Sequence, residues 1–437
     1  MSDHETARKA LEAAEASFIA NNPSSKKYHN EAVEYLPGGN TRTLLHTSPF
    51  PLAIHKGQGT YVWDEDGHQY TDLVGELSAG LYGHSHPVIR KAIDSTLVSS
   101  GLSLGATTRL EREYASLLCK RFCLDRVRMA NTGTEANLHA LAGARHFTGR
   151  RKVVVFSGGY HGAVLSFDGG KPSANTVDRD LFVVAKYNDT SAAVETIRTT
   201  DDLAAVLVEP MQGAGGCIPG TEEFLFAIRQ ASQEKGALFI LDEVMTSRLA
   251  PHGLGVELGL KPDMVTMGKY LGGGLAFGAF GGRQEVMAVY DPRVAGCLAH
   301  SGTFNNNTLS MTVGCTALRD IFTEAACKAF NERGDRLRDK LNAASHGTRL
   351  SFTGRGSLIG LHFTELGLRN ITCGEDVRGQ ERKDLRDLFW FEMLEAGFWT
   401  TRRGFIALML DIEDQQLETF VDSVVAFIAR HQDIMSQ

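Results

Sequence analysis

Four short apolar runs, KVVVFS (152–157), LAAVLVEP (203–210), ALFILDEV (237–244) and MVTMGK (264–269), are separated by stretches of helical periodicity such as Glu222 to Lys235. Runs of this length without polar alternation suit strands covered on both faces, and helices between them supply the cover. The pattern predicts βα units around a mainly parallel sheet. In an open sheet of this kind ligands bind beyond the carboxyl ends of the strands, so the residues that close each run carry the functional information. The chain is 437 residues long, 43% apolar and 22% charged, enough to bury a large core and to build more than one structural unit.

Charge narrows the partners. With 45 Lys+Arg against 52 Asp+Glu the net charge is −7, which argues against a surface made to neutralise nucleic-acid phosphates or anionic lipid. No apolar run approaches the roughly 20 residues of a membrane helix. The N-terminus, with Asp3, Glu5, Glu12 and Glu15, lacks the apolar stretch of a signal peptide, so a cytoplasmic protein is expected. Seven cysteines suit reduced thiols, and Cys119 and Cys123 read as core packing, with no second Cys or His pair to complete a metal site. Gly213, Gly215 and Ile218 in GAGGCIPG miss the dinucleotide-binding fingerprint, and a proline follows where a helix should start.

Flanking the central units, Ala7, Ala10, Leu11, Ala14 and Phe18 predict a helical packing arm stopped at Asn22-Pro23. Between Leu52 and Leu73, alternation around Asp66-Gly67 predicts a hairpin. Beyond Leu309 the texture is helical, and Leu417, Phe420, Val421, Val424, Phe427 and Ile428 mark a final amphipathic helix. The expected organisation is an arm and hairpin over 1–75, a large α/β domain over 76–310 and a C-terminal α+β part over 311–437, the smaller domain drawing on both chain ends.

Four strand ends carry suggestive chemistry. NTGTEAN (131–137) sets Gly133 and Thr134 at a helix start, where free amides and the helix dipole suit a phosphate, although the same residues suit an ordinary cap. FSGGYHG (156–162) raises Tyr160 and His161 on glycines that let a flat ligand approach, and a core Tyr and His on a turn would look the same. Asp242 and Glu243 close a strand that reads as buried, where a carboxylate needs a cationic partner. Lys269 closes the next one before Gly272, Gly273 and Gly274; a desolvated lysine there loses basicity and becomes nucleophilic toward aldehydes. Asp242 and Lys269 are 27 positions apart, about one strand–helix–strand unit. A phosphate cradle, an aromatic face, a buried carboxylate and an imine-forming lysine are the parts needed to hold pyridoxal phosphate.

With these residues in place the chain resembles the class III aminotransferases of the fold-type I pyridoxal-phosphate enzymes over nearly its whole length. FILDEVMTSR, DMVTMGKYLGGGLAFGAFGG, NTGTEAN, GGYHG, VEPMQG and HSGTFNNN fall in the family's order. PGGNTRT and GKYLGGG with GAFGGR are most similar to the branch of glutamate-1-semialdehyde aminomutases and aminotransferases of β-amino acids such as β-phenylalanine. The resemblance implies pyridoxal 5'-phosphate as cofactor, Lys269 as its Schiff-base residue and Asp242 as partner of its ring nitrogen. It makes Tyr160 the stacking residue and Gly133 with Thr134 the phosphate cradle, with His161, Glu209 and Gln212 near the cofactor. It further implies a homodimer in which Thr303 reaches the neighbouring subunit's phosphate.

Arginine is the side chain best shaped to grip a carboxylate through two hydrogen bonds. The resemblance implies that Arg42 and Arg403 receive substrate carboxylates, with Arg402 beside the latter leaving that choice open by one residue; the expected division is Arg42 for the donor and Arg403 for the acceptor. The expected reaction is ping-pong transfer of an amino group from a β-amino acid, aromatic ones such as β-phenylalanine included, to a 2-oxo acid such as 2-oxoglutarate or pyruvate. A glutamate-1-semialdehyde 2,1-aminomutase and a class III amine transaminase are the alternatives, and SRLAPHG after DEVMT departs from the aminomutase pattern.

Overall fold

The computed structural model describes residues 3–436. Its centre is a seven-stranded sheet made of β1 (Arg126–Ala130), β2 (Lys152–Phe156), β3 (Phe182–Ala185), β4 (Leu203–Val208), β5 (Leu238–Asp242), β6 (Met264–Gly268) and β7 (Gly278–Gly282). The order across the sheet is β1-β7-β6-β5-β4-β2-β3. Strand β7 runs antiparallel to both of its neighbours, and every other pairing is parallel. All four apolar runs are strands of this sheet, and β4, β5 and β6 are buried along their whole length. The helices Gly133–Thr148 and Glu222–Glu234 lie among the connections, and their apolar sides pack into the clusters that cover the sheet.

Register decides what can meet. Asp242 of β5 pairs with Thr266 of β6, and Leu241 pairs with Val208 of β4. The ends of three adjacent strands therefore bring Glu209, Asp242 and Lys269 to one edge of the sheet.

The two chain ends combine beside this sheet. The hairpin Tyr61–Asp64 and Gln69–Asp72 forms around Gly67 as expected, and Phe398–Trp399 adds a parallel strand to it. The N-terminal helix Asp3–Asn21 buries Phe18 against Trp390 and Phe391, with ring centroids 5.7 and 5.3 Å away. Burying such a ring contributes roughly 1.5–3 kcal/mol. Asn22-Pro23 ends that helix but does not end helical structure: a proline is compatible with a first helical turn, and Pro23–Ala32 starts at once. The final amphipathic stretch is the helix Asp414–Arg430. Position 311 lies inside the helix Thr308–Thr316.

A further difference from the sequence reading concerns cysteine. Cys119 is only partly buried, and Cys123 lies beyond the helix Arg109–Arg121, exposed with φ 55°, so the pair is not core packing. The helix turns its buried face through Tyr114, Leu118 and Arg121 instead. Among the described residues no helix is long and apolar enough to cross a membrane, and no cluster of metal-ligating side chains occurs.

Candidate active site

The carboxyl edge of β4, β5 and β6 opens into a cavity of about 210 Å³. Gly133, Thr134, Tyr160, His161, Glu209, Asp242, Lys269 and Arg403 all line it, although they come from segments spread over 270 positions. Of the residues singled out for chemistry, Arg42, Gln212, Glu243, Thr303 and Arg402 lie outside this lining. Arg42 borders an adjoining outer groove of about 800 Å³, which shares Leu44, Leu77 and Arg403 with the inner cavity. Thr303 is exposed in the turn before the helix Thr308–Thr316.

Asp242 is held in a fully polar frame. Its Oδ2 accepts from Asn137 Nδ2 at 2.8 Å and from His161 Nδ1 at 2.7 Å, while Oδ1 accepts from the Val244 amide at 2.9 Å. Asn137 is itself fixed, since its Oδ1 accepts from the buried Thr266 hydroxyl at 2.8 Å. A carboxylate costly to bury alone is thus tied to three donors and pointed in one direction. His161 is buried and spends Nδ1 on Asp242, so it orients the carboxylate. Sequence reasoning missed Asn137; the signal was its place one helical turn after Gly133, on the same face.

Lys269 follows β6 in a left-handed conformation, φ 55°, and its Nζ donates to the Leu77 carbonyl at 2.9 Å. It keeps some accessible surface because it lines the cavity. The walls around it desolvate the amine, and the Arg403 guanidinium adds repulsion; together they push it down to about 8. Glu209 is buried, accepting from the Tyr160 and Gly213 amides at 2.9 Å each, and burial pushes its carboxyl up. It ties the Tyr160 loop to the end of β4. Gln212 ties the same loop from the other side, donating to the Ser157 carbonyl at 2.8 Å.

Glu243, the other strand-end acid, turns away from the cavity. It accepts from the Leu254 and Gly255 amides and from Thr246 Oγ1, shaping the loop beyond β5, and burial raises its carboxyl to about 7.

The cap question at the helix Gly133–Thr148 resolves two residues earlier than expected. Thr132 is the N-cap, its hydroxyl accepting from the Glu135 amide at 3.1 Å. Gly133 and Thr134, whose amides have no acceptor within the helix, are left lining the cavity. Opposite them Gly162, φ 124°, has no side chain to spare: a Cβ there would stand 2.2 Å from Thr134 Oγ1. Free amides and a hydroxyl at a helix N-terminus, a pinned carboxylate and a desolvated amine on adjacent strand ends therefore fit pyridoxal phosphate.

The adjacent arginines are separated by their surroundings. Arg402 is committed: it pairs with Asp387 at 2.9 Å, donates to the Ser48 carbonyl and lies over the rings of Trp390 and Phe391. Arg403 lines both cavity and groove, and among the described residues no carboxylate lies within ion-pair distance of it. Arg42, half-exposed, forms an ion pair with Glu76.

Glu76 belongs to a strap that sequence reasoning missed. Gly75, Glu76, Leu77 and Ser78 have φ of 49°, 47°, 53° and 78°, four left-handed residues in succession. Each of the three that are not glycine carries about 1–2 kcal/mol of steric cost. Tertiary bonds impose the shape: Asp72 Oδ1 accepts from the Val74 and Gly75 amides, and buried Arg248 donates to the Ser78 carbonyl at 3.1 Å. Strain held in this way concentrates at functional sites.

Comparison with known proteins agrees with this geometry. Residues 45–428 match the family described as "Aminotransferase class-III". The chain is 47% identical over 432 residues to a β-phenylalanine transaminase of Variovorax paradoxus, covering 98% of each chain. The crystal structure of a β-phenylalanine aminotransferase from that organism matches with a TM-score of 0.95, 46% identity and 99% of each chain covered. An uncharacterized aminotransferase of Schizosaccharomyces pombe is likewise 47% identical over 430 residues, 98% of this chain and 97% of the relative. A transaminase solved with PLP bound matches at TM-score 0.84 and 29% identity, over 94% of this chain and 98% of that one.

Proposed function

Because the chain belongs to the class III aminotransferase family and uses pyridoxal phosphate, we propose that it transfers the amino group of a β-amino acid, aromatic ones such as β-phenylalanine included, to a 2-oxo acid such as 2-oxoglutarate or pyruvate. The observation that carries the reading is the meeting of Lys269, Asp242 and Arg403 in one cavity, with Arg42 on the groove that continues it.

Pyridoxal phosphate supplies an aldehyde that takes up the amino group and a ring that accepts electrons from the substrate carbon. Lys269 Nζ would hold it covalently at rest and then, freed by the incoming amine, carry a proton to and from the substrate carbon. Asp242, fixed by Asn137 and His161, would keep the proton on the ring nitrogen. Gly133 and Thr134 would hold the phosphate, and Tyr160 would cover the ring. Thr303, exposed and away from its own chain's cavity, would serve the phosphate of a second subunit in a homodimer. Arg42 would take the donor's carboxylate and Arg403 the acceptor's, so the two half-reactions share one amine and use different cations.

Stopped-flow half-reactions test this division. Arg42→Ala should slow the β-phenylalanine half-reaction at subsaturating substrate by about 10- to 100-fold, the worth of a charged hydrogen-bonded contact, and leave 2-oxoglutarate nearly unaffected. Arg403→Ala should do the reverse. An Arg42→Ala enzyme slowed only with the keto acid contradicts the assignment, and activity on glutamate-1-semialdehyde without a keto acid would favour the aminomutase alternative.

The lowered basicity of Lys269 gives a pH expectation. Only the unprotonated amine attacks an aldehyde, so loading of the cofactor-free protein should accelerate as pH rises toward about 8 and then level off. A lysine of ordinary basicity would keep accelerating to beyond pH 10. Loading rates followed by visible absorbance between pH 6 and 10 distinguish the two.

A further inference from the structure

The two arginines at the substrate end are treated differently by the protein. Arg403 faces the cavity with no carboxylate within ion-pair distance among the described residues, whereas Arg42 is already paired with Glu76. Glu76 is not there by the drift of a flexible surface side chain. Its backbone is left-handed, φ 47°, within the strap held by Asp72 and Arg248. The next residue, Leu77, takes the Lys269 amine on its carbonyl. Arg42 and Glu76 are each about half-exposed, 49% and 54%, so their mutual attraction is screened and modest. A strong buried pair would block a substrate; a weak exposed one can be exchanged for it.

We propose that Glu76 is a built-in competitor for Arg42, a carboxylate that occupies the guanidinium until the donor's carboxylate displaces it. It is a positioning residue that sets donor affinity and leaves the acceptor's arginine unopposed. The proposal rests on the reading of Arg42 as the donor's receptor. In physical terms, the empty groove presents a neutralised Arg42, so an amine without a carboxylate does not gain from it and an amino acid gains only the difference between two carboxylates. The rigid strap keeps Glu76 within reach after displacement, so it also assists release of the keto product.

The test measures binding of 3-phenylpropanoate, a donor-shaped carboxylate with no amine, to the cofactor-loaded enzyme by calorimetry. Glu76→Gln should tighten it about two- to five-fold, the range expected when an exposed ion pair is removed from competition. In an Arg42→Ala background the same substitution should change nothing, because the competitor and its target act as one unit. Binding of 3-phenylpropanamide, alike in shape but uncharged, should not respond to Glu76→Gln in either background. In turnover the KM for β-phenylalanine should fall by a similar factor while that for 1-phenylethylamine stays put. If the Gln variant does not fold, Glu76→Gly removes the carboxylate at a position whose left-handed backbone glycine favours.

An equal shift for carboxylate and amide, a shift that persists without Arg42, or no shift at all overturns the competitor. If Arg42→Ala itself leaves 3-phenylpropanoate binding unchanged, the fault lies in the reading of Arg42, and the competitor falls with it.

Discussion

Lys269→Ala is expected to lower transamination by about 10³-fold or more, since it removes the group proposed both to hold the cofactor and to move the proton. Among the described residues Lys269 is the sole lysine lining the cavity, and Arg403, which also lines it, keeps its proton throughout the working pH range. The loss should not come from unfolding. Alanine keeps the Cβ and the backbone at 269, and it removes an amine that burial makes costly to charge. In the folded protein that amine sits near 8, below its ordinary value of 10.5, so below pH 8 its protonation weighs fully against folding, and the burden lifts as pH rises from about 8 to 10.5. Cofactor-free Lys269→Ala should therefore melt at or above the temperature of the cofactor-free parent at pH 7. Activity assays paired with thermal melts check both halves; a variant that is inactive but melts well below the parent would make the loss structural.

Asp242→Asn is expected to lower kcat on the order of 10²- to 10³-fold, the usual worth of a pre-oriented charge at a reacting centre. It should also destabilise, unlike the lysine variant. Asp242 Oδ2 accepts from both Asn137 Nδ2 and His161 Nδ1, and an amide cannot supply two accepting oxygens to three donors. One buried donor is left without a partner, at about 1–3 kcal/mol. The pairing of a melting-temperature drop with a kcat drop, and of Asn137→Ala with a smaller kcat loss than Asp242→Asn, would show the carboxylate acting directly and Asn137 acting through it. Steady-state kinetics at saturating donor and acceptor, with melts of the loaded proteins, make the comparison.

What could be read in advance follows from the physics of each element. Strands β2, β4, β5 and β6 are legible because burial on both faces forces uninterrupted apolar runs. Strand β7 is not: GAFGG carries almost no side-chain signal, since its glycines are required by neighbouring backbone, and a Cβ at Gly278 would come within 2.0 Å of the Thr132 carbonyl oxygen. Gly133, Thr134, Tyr160, His161, Glu209, Asp242 and Lys269 of the inner cavity were legible because each follows a readable strand or opens a readable helix. The strap 75–78 was illegible for the opposite reason. Nothing in Glu76, Leu77 and Ser78 asks for a left-handed backbone; Asp72 and Arg248, the latter 170 positions from Ser78, impose it. The choice between Arg402 and Arg403 likewise depended on Asp387, Trp390 and Phe391, whose position no local pattern discloses. His161 lines the cavity, and its hydrogen bond to Asp242, which no local pattern discloses, makes it an orienting group.

The central claim is that the amine closing β6 carries the cofactor. Loading the protein with pyridoxal phosphate, reducing it with borohydride, digesting it and sequencing the modified peptide by mass spectrometry tests that claim without reference to any substrate. The account predicts a stable pyridoxyl adduct on Lys269 and loss of the colour on reduction. An adduct on a different lysine, or a parent protein that takes up no cofactor at all, would contradict it.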